Sequence, residues 1–121
     1  NKTISTDVTT NRVELIDFYG THRCVTCEAI EENAAYTVDH YFPDMLNSGK
    51  LTFTKIDVDK EVNYDMAEKF EATGTALFIN VVKDGSEKHI DLTSFAFEKG
   101  KDKEVFSQEL KAMLEEQLRS L

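Results

Sequence analysis

Cysteine occurs twice in the 121 residues, proline once, and basic residues are the minority charge. Two cysteines exclude a disulfide-stapled mini-protein. With 40% apolar residues and no long linker, residues 1–121 read as a single domain around one sizeable core. Fourteen Lys and Arg against 23 Asp and Glu leave a net charge of −9, which repels phosphate backbones and anionic lipid. Nucleic-acid binding and membrane-surface roles are therefore poor readings. No stretch approaches the roughly 20 apolar residues of a membrane span, and no signal peptide is visible. Glycine-rich phosphate cradles, internal repeats and low-complexity segments are also missing. The chain starts at Asn1 without a methionine, so residues upstream are read as removed by processing or by design. That start favours an exported, periplasmic location over a cytoplasmic one.

Both cysteines fall in His22-Arg23-Cys24-Val25-Thr26-Cys27, between the apolar run Val13–Tyr19 and a helical pattern. A Cys-x-x-Cys that follows a strand and opens a helix is the arrangement of a redox dithiol. The first turn of a helix offers unpaired N–H groups and a partial positive charge. A thiol placed there ionises more readily than a free one of pKa about 8.5. Cys24 is then the nucleophile. Cys27, one turn along on the same face, can resolve a mixed disulfide.

Periodicity orders the remaining elements. Residues 1–11 are polar and Thr-rich and read as an arm or short edge strand; 12–19 suit a buried central strand. From Val25 to about Tyr41, Ala29, Ile30, Ala34, Val38 and Tyr41 form an amphipathic face, and Pro43 ends or restarts that helix. Asn47-Ser48-Gly49 reads as a turn, 51–58 as an alternating strand, and 61–70 as a helix with Val62, Met66, Ala67 and Phe70 on one face. Residues 76–82 and 88–92 read as a hairpin turning at Asp84-Gly85. A loop at 93–100 carries Phe95 and Phe97, and a last helix at 102–118 shows Phe106, Leu110, Met113 and Leu114 on one side.

Strand, helix, strand, helix, strand, strand, helix is an α/β order, and over residues 13–92 it resembles thioredoxin. The resemblance implies a thioredoxin-like three-layer fold, with a central mixed sheet of four to five strands flanked by helices. It also implies a thiol-disulfide oxidoreductase that needs no organic cofactor. Asp17 matches the buried aspartate that in that family moves the proton of the resolving cysteine, and Lys55 falls at the position of the lysine paired with it. Asp17 stands seven residues before Cys24, one more than in typical thioredoxins. Val25-Thr26 replaces Gly-Pro between the cysteines. Aligning Phe70 and Gly74 puts Thr75-Ala76 where thioredoxins carry a cis-proline; a non-proline cis bond costs about 2.5–4 kcal/mol, so a trans peptide and a reshaped substrate edge are expected. A closer resemblance is to small thioredoxin-like proteins of bacterial arsenic-resistance operons, described as a nitrophenyl-compound nitroreductase subunit. It rests on Arg23-Cys24-Val25-Thr26-Cys27-Glu28-Ala29-Ile30-Glu31 and on Thr73–Phe78. Nitro reduction needs a flavin or comparable electron source, so this likeness implies an electron-relay partner.

Each residue also has a plainer reading. The cysteines could be inert core thiols, Asp17 a polar strand residue, Lys55 and Arg23 solvated charges. Beside Cys24, Arg23 would instead favour the thiolate and border the substrate edge. Glu28 and Glu31 stabilise a helix N-terminus and oppose the thiolate. His22 adds a third soft-ion ligand to the dithiol; structural zinc wants four, and His40 and His89 fall far along the chain. Copper or arsenite binding is less demanding. Phe95 and Phe97 line either a groove or the core. The leading expectation is a monomeric thiol-disulfide oxidoreductase acting on a protein or small-molecule disulfide. A soft-metal or arsenite binder and a redox-silent adaptor are the alternatives.

Overall fold

The computed structural model describes residues 10–121, so the arm or edge strand expected at 1–11 lies, except for Thr10 and Asn11, outside the described residues. Strand β1 (Arg12–Tyr19) is central. It pairs in parallel with β2 (Leu51–Asp57) and antiparallel with β3 (Ala76–Lys83), and β3 pairs antiparallel with β4 (Ser86–Asp91). The order β2-β1-β3-β4 makes a mixed four-stranded sheet. Both faces of β1 are covered, which explains its nearly continuous apolar sequence.

One face places Val13, Leu15, Leu51, Leu77 and Ile79 against helix α1 (Val25–Tyr41) and the C-terminal helix, residues Lys103–Arg119. The opposite face sets Ile16, Phe18, Ile56 and Phe78 against the segment carrying Ala67 and Phe70. There the Phe18, Phe70 and Phe78 rings pack with centroids 5.2–5.9 Å apart.

Helix α1 stops where expected, and Pro43 restarts the chain as α2 (Pro43–Ser48). Asn47 and Ser48 are therefore helical, and the turn is Gly49, at φ 82°. Asp84 and Gly85 both have positive φ, 53° and 81°, as a two-residue hairpin with the sheet's twist requires.

Two further expectations change. The segment 61–70 is a 3₁₀ turn at Glu61–Asn63 followed by α3 (Tyr64–Lys69), and the tighter winding carries Val62 off the apolar face to 85% exposure. Residues 93–100 are not a loop, for Thr93–Lys99 form α4. Leu92 and Ala96 are buried and Phe95 stacks on Phe106 at 5.1 Å, a one-turn apolar face too short to register as a periodicity. Phe95 thus packs on the core while Phe97 is exposed. Lys103–Arg119 is α5. Among the described residues no helix is long and apolar enough to cross a membrane.

The buried side of α1 includes two polar residues, Asn33 and Thr37. Thr37 Oγ1 donates to the Asn33 carbonyl at 2.6 Å, and Asn33 Nδ2 donates to the Gly100 carbonyl at 2.7 Å, tying α1 to the α4–α5 connection. A Cβ at Gly100 would lie 2.7 Å from Ile30 Cγ1, so the chain there passes close against α1. Asn33→Ala leaves the Gly100 carbonyl without its partner and should cost about 1–3 kcal/mol. Guanidinium unfolding measures it, and a loss under about 0.5 kcal/mol would contradict the tie.

Candidate active site

Three strand ends meet at one end of the sheet. Tyr19 closes β1, register pairs it with Asp57 at the end of β2, and Phe18 pairs with Ala76 at the start of β3. The loop from β1 into α1 leaves from this end and carries Arg23 and Cys24. Its base is fastened by the Thr21 N–H, which donates to Asp59 Oδ2 at 2.7 Å. That bond lowers the proton affinity of the exposed Asp59 carboxyl.

Cys24 is the N-cap of α1 and is joined to Cys27 in a disulfide, with Cα atoms 4.9 Å apart. Cys24 is exposed; Cys27 is buried. The Cys27 backbone N–H donates to Cys24 Sγ at 3.1 Å. A sulfur therefore fills the capping role usually taken by a Ser or Asp oxygen, and it receives one of the unpaired donors of the first turn. The same N–H and the positive end of the helix dipole are thus directed at Cys24 Sγ.

Asp17 stands on the β1 face covered by α1. Its side chain is fully buried, and neither carboxylate oxygen has a hydrogen-bond partner among the described residues. Burial pushes its pKa up to about 7; the nearby Glu31 charge adds to the rise, while Arg23 and Lys55 oppose it. Register puts Lys55 directly across from Asp17. Yet Lys55 Nζ pairs with Glu31 Oε2 at 3.4 Å, whereas the resemblance had led us to expect it on Asp17.

Arg23 also turns to Glu31, at 2.8 Å, with its guanidinium 4.6 Å above the Tyr19 ring and 3.4 Å from the Cys27 carbonyl. Burial raises the Glu31 pKa, but the bonds and charge of Arg23, then of Lys55, outweigh it and hold Glu31 below the usual carboxylate range. Glu31 is thus a bridge, not simply a helix N-terminal charge. The sequence cue was its position one turn after Cys27 on the covered side of α1. Tyr19 adjoins the loop in sequence, whereas only the fold brings Asp59 to it. Glu28 stays exposed in the first turn of α1.

Ala76 opens β3 at the same end of the sheet, with Thr75 just before it, and all described peptides there are trans. A cleft of about 420 Å³ lies beside them, bounded by Phe70, Gly74, Thr75, His89 and Thr93. The three histidines are dispersed. His22 is exposed in the loop, His40 stacks on Tyr36 at 5.0 Å, and His89 stacks on Phe70 at 3.9 Å. Among the described residues no three His, Cys, Asp or Glu side chains gather as a metal site.

The raised Asp17 pKa fixes a sign for stability. Between about pH 4 and 7 the folded protein holds a proton at Asp17 that the unfolded chain has released, so this group's contribution falls as pH rises. The full cost, on the order of 4 kcal/mol, is reached above about pH 7. Oxidised Asp17→Asn should gain stability relative to wild type by several kcal/mol between about pH 4.5 and 8.5. Denaturant titrations at the two pH values check this; a gap independent of pH would contradict it.

No family model and no curated protein matches the chain. Among solved structures it is similar to mitochondrial thioredoxin 3 from Saccharomyces cerevisiae in its oxidised form, at 26% identity over 78% of this chain and 81% of that one, TM-score 0.49. It is also similar to a chain in a structure of the thiol resolving mechanism of yeast mitochondrial 1-Cys peroxiredoxin via glutathione/thioredoxin systems, at 28% identity over 78% and 81%, TM-score 0.50. Fasciola hepatica thioredoxin matches at 19% identity over 80% and 85%, TM-score 0.50. With the mixed sheet, its flanking helices and the cysteine pair at the start of α1, the last two likenesses identify the architecture as a thioredoxin-like fold.

Proposed function

We propose that the protein is a thiol-disulfide oxidoreductase that exchanges electrons with a disulfide partner through Cys24 and Cys27. The carrying observation is the asymmetry of the pair: Cys24 is exposed and takes the Cys27 N–H, while Cys27 is buried one turn behind. The likeness to a chain from a glutathione/thioredoxin thiol-resolving system supports the same chemistry.

In the reducing direction, the Cys24 thiolate attacks one sulfur of the partner disulfide. The partner's other sulfur leaves as a thiolate and takes a proton from solvent. Cys27 then gives up its proton, and its thiolate attacks Cys24 Sγ. The Cys24–Cys27 disulfide forms, the Cys24–partner bond breaks, and the released sulfur is protonated. Two electrons pass to the partner, and an external dithiol must reduce the pair again. Asp17 accepts the Cys27 proton, directly or through water; a carboxyl titrating near 7 is suited to exchange protons at neutral pH. Lys55 acts on Asp17 by its charge. In this reading Arg23, next to Cys24 in the loop, and the trans Thr75-Ala76 segment at the same end of the sheet serve as the substrate edge in place of the family's proline. If the arsenic-operon likeness holds, the partner is a nitroreductase component and this chain relays electrons to it.

Insulin reduction driven by dithiothreitol tests the reading. Cys24→Ser should lose at least about 100-fold in rate. Cys27→Ser should accumulate a covalent mixed disulfide visible by mass. Activity retained in Cys24→Ser would refute the assignment. Wild type that binds one arsenite per dithiol but never turns over would favour the soft-ion reading instead.

A further inference from the structure

Among the described residues, Glu31 is the one acidic group in contact with both cations near the buried carboxyl. Its Oε1 holds Arg23 at 2.8 Å and its Oε2 holds Lys55 at 3.4 Å, so the loop before α1, α1 itself and β2 are bound through a single side chain. Lys55 starts from the residue directly opposite Asp17 in the β1–β2 register, on the same sheet face. Even so, both Asp17 oxygens lack a partner among the described residues. A lysine beside a buried, unpaired carboxylate would ordinarily turn to it, because an uncompensated charge in the interior is costly. What draws Lys55 outward is a better-solvated competitor, and Arg23 is drawn to the same place, its orientation fixed by the Tyr19 ring 4.6 Å away.

We infer that Glu31 is a positioning residue for proton transfer: by engaging Arg23 and Lys55 with its two oxygens, it keeps both cations off Asp17 and leaves that carboxyl unpaired beneath α1. This rests on the oxidoreductase reading for its purpose, since an unpaired Asp17 can take the proton of Cys27 whereas one locked to Lys55 would hold its charge and accept protons poorly. The charged groups acting on Asp17 are Lys55 from β2, Arg23 from the loop and Glu31 from α1; Leu77, its neighbour on β3, is uncharged. Removing the Glu31 charge deletes the carboxylate that raises the Asp17 proton affinity and frees two cations that lower it, so both effects act in one direction.

The experiment follows the Asp17 side-chain carboxyl by ¹³C NMR as a function of pH in the oxidised full chain, with Asp17→Asn identifying the resonance. Wild type should titrate at about 7. In Glu31→Gln the midpoint should fall by about one pH unit or more; in Lys55→Met it should rise; Glu31→Asp should restore most of the wild-type value. Retained far-UV circular dichroism separates these shifts from unfolding, and Lys55→Met carries the test if Glu31→Gln does not fold. An unchanged or raised midpoint in folded Glu31→Gln, or an unchanged one in Lys55→Met, would overturn the inference. No partner or turnover enters this readout, so an absence of reductase activity would remove the functional reading and leave the titration decisive for Glu31.

Discussion

A carboxyl group taken from water into a protein interior without a hydrogen bond favours its neutral form, and Asp17 is held in that condition by the helix that also carries the cysteines. Because α1 covers β1, its first turn lies over the strand that ends at Tyr19. The same packing buries Cys27 and leaves Cys24 at the rim. One sulfur is thus reachable and served by a helix N–H, the other shielded. The site's charges arrange themselves around this constraint. Arg23 and Lys55 meet a partly solvated Glu31, where pairing needs less desolvation than it would on Asp17.

Much of the molecule serves to hold that helix in place. Asn33 pins its middle to the α4–α5 connection, Gly100 allows the close approach, and Ile30, Ala34 and Val38 seat it on the sheet with Phe106, Leu110 and Leu114 alongside. On the far face, the Phe18–Phe70–Phe78 cluster fixes the segment that leads to Thr75. Strand β4 is mostly exposed and adds little to the core. Its hairpin begins with a turn whose Asp84 N–H donates to Asn11 at 2.8 Å.

The features readable from sequence were those set by local rules. The boundaries of α1 follow from its apolar spacing and from Pro43, and the Asp84-Gly85 turn from residues that accept positive φ. The Cys24–Cys27 pairing follows from spacing at a helix start. Elements shaped by tertiary packing were less legible: α4 has one apolar turn that only Phe106 completes, and the 3₁₀ winding at 61–63 moved Val62 into solvent. The burial of Asp17 was legible through resemblance. The partner of Lys55 was not, because the choice between Asp17 and Glu31 depends on how far each carboxylate is removed from water, and strand register alone does not contain that information.

The central claim is that Cys24 and Cys27 form a reversible two-electron couple, and the most direct measurement is their reduction potential. Purified protein would be equilibrated in glutathione buffers of graded poise, and free thiols counted by alkylation and mass. The account requires one cooperative two-thiol transition between about −270 and −120 mV, the range of working dithiol carriers. If the thiols stay reduced at every poise, or disulfides form only between molecules, the oxidoreductase account is wrong.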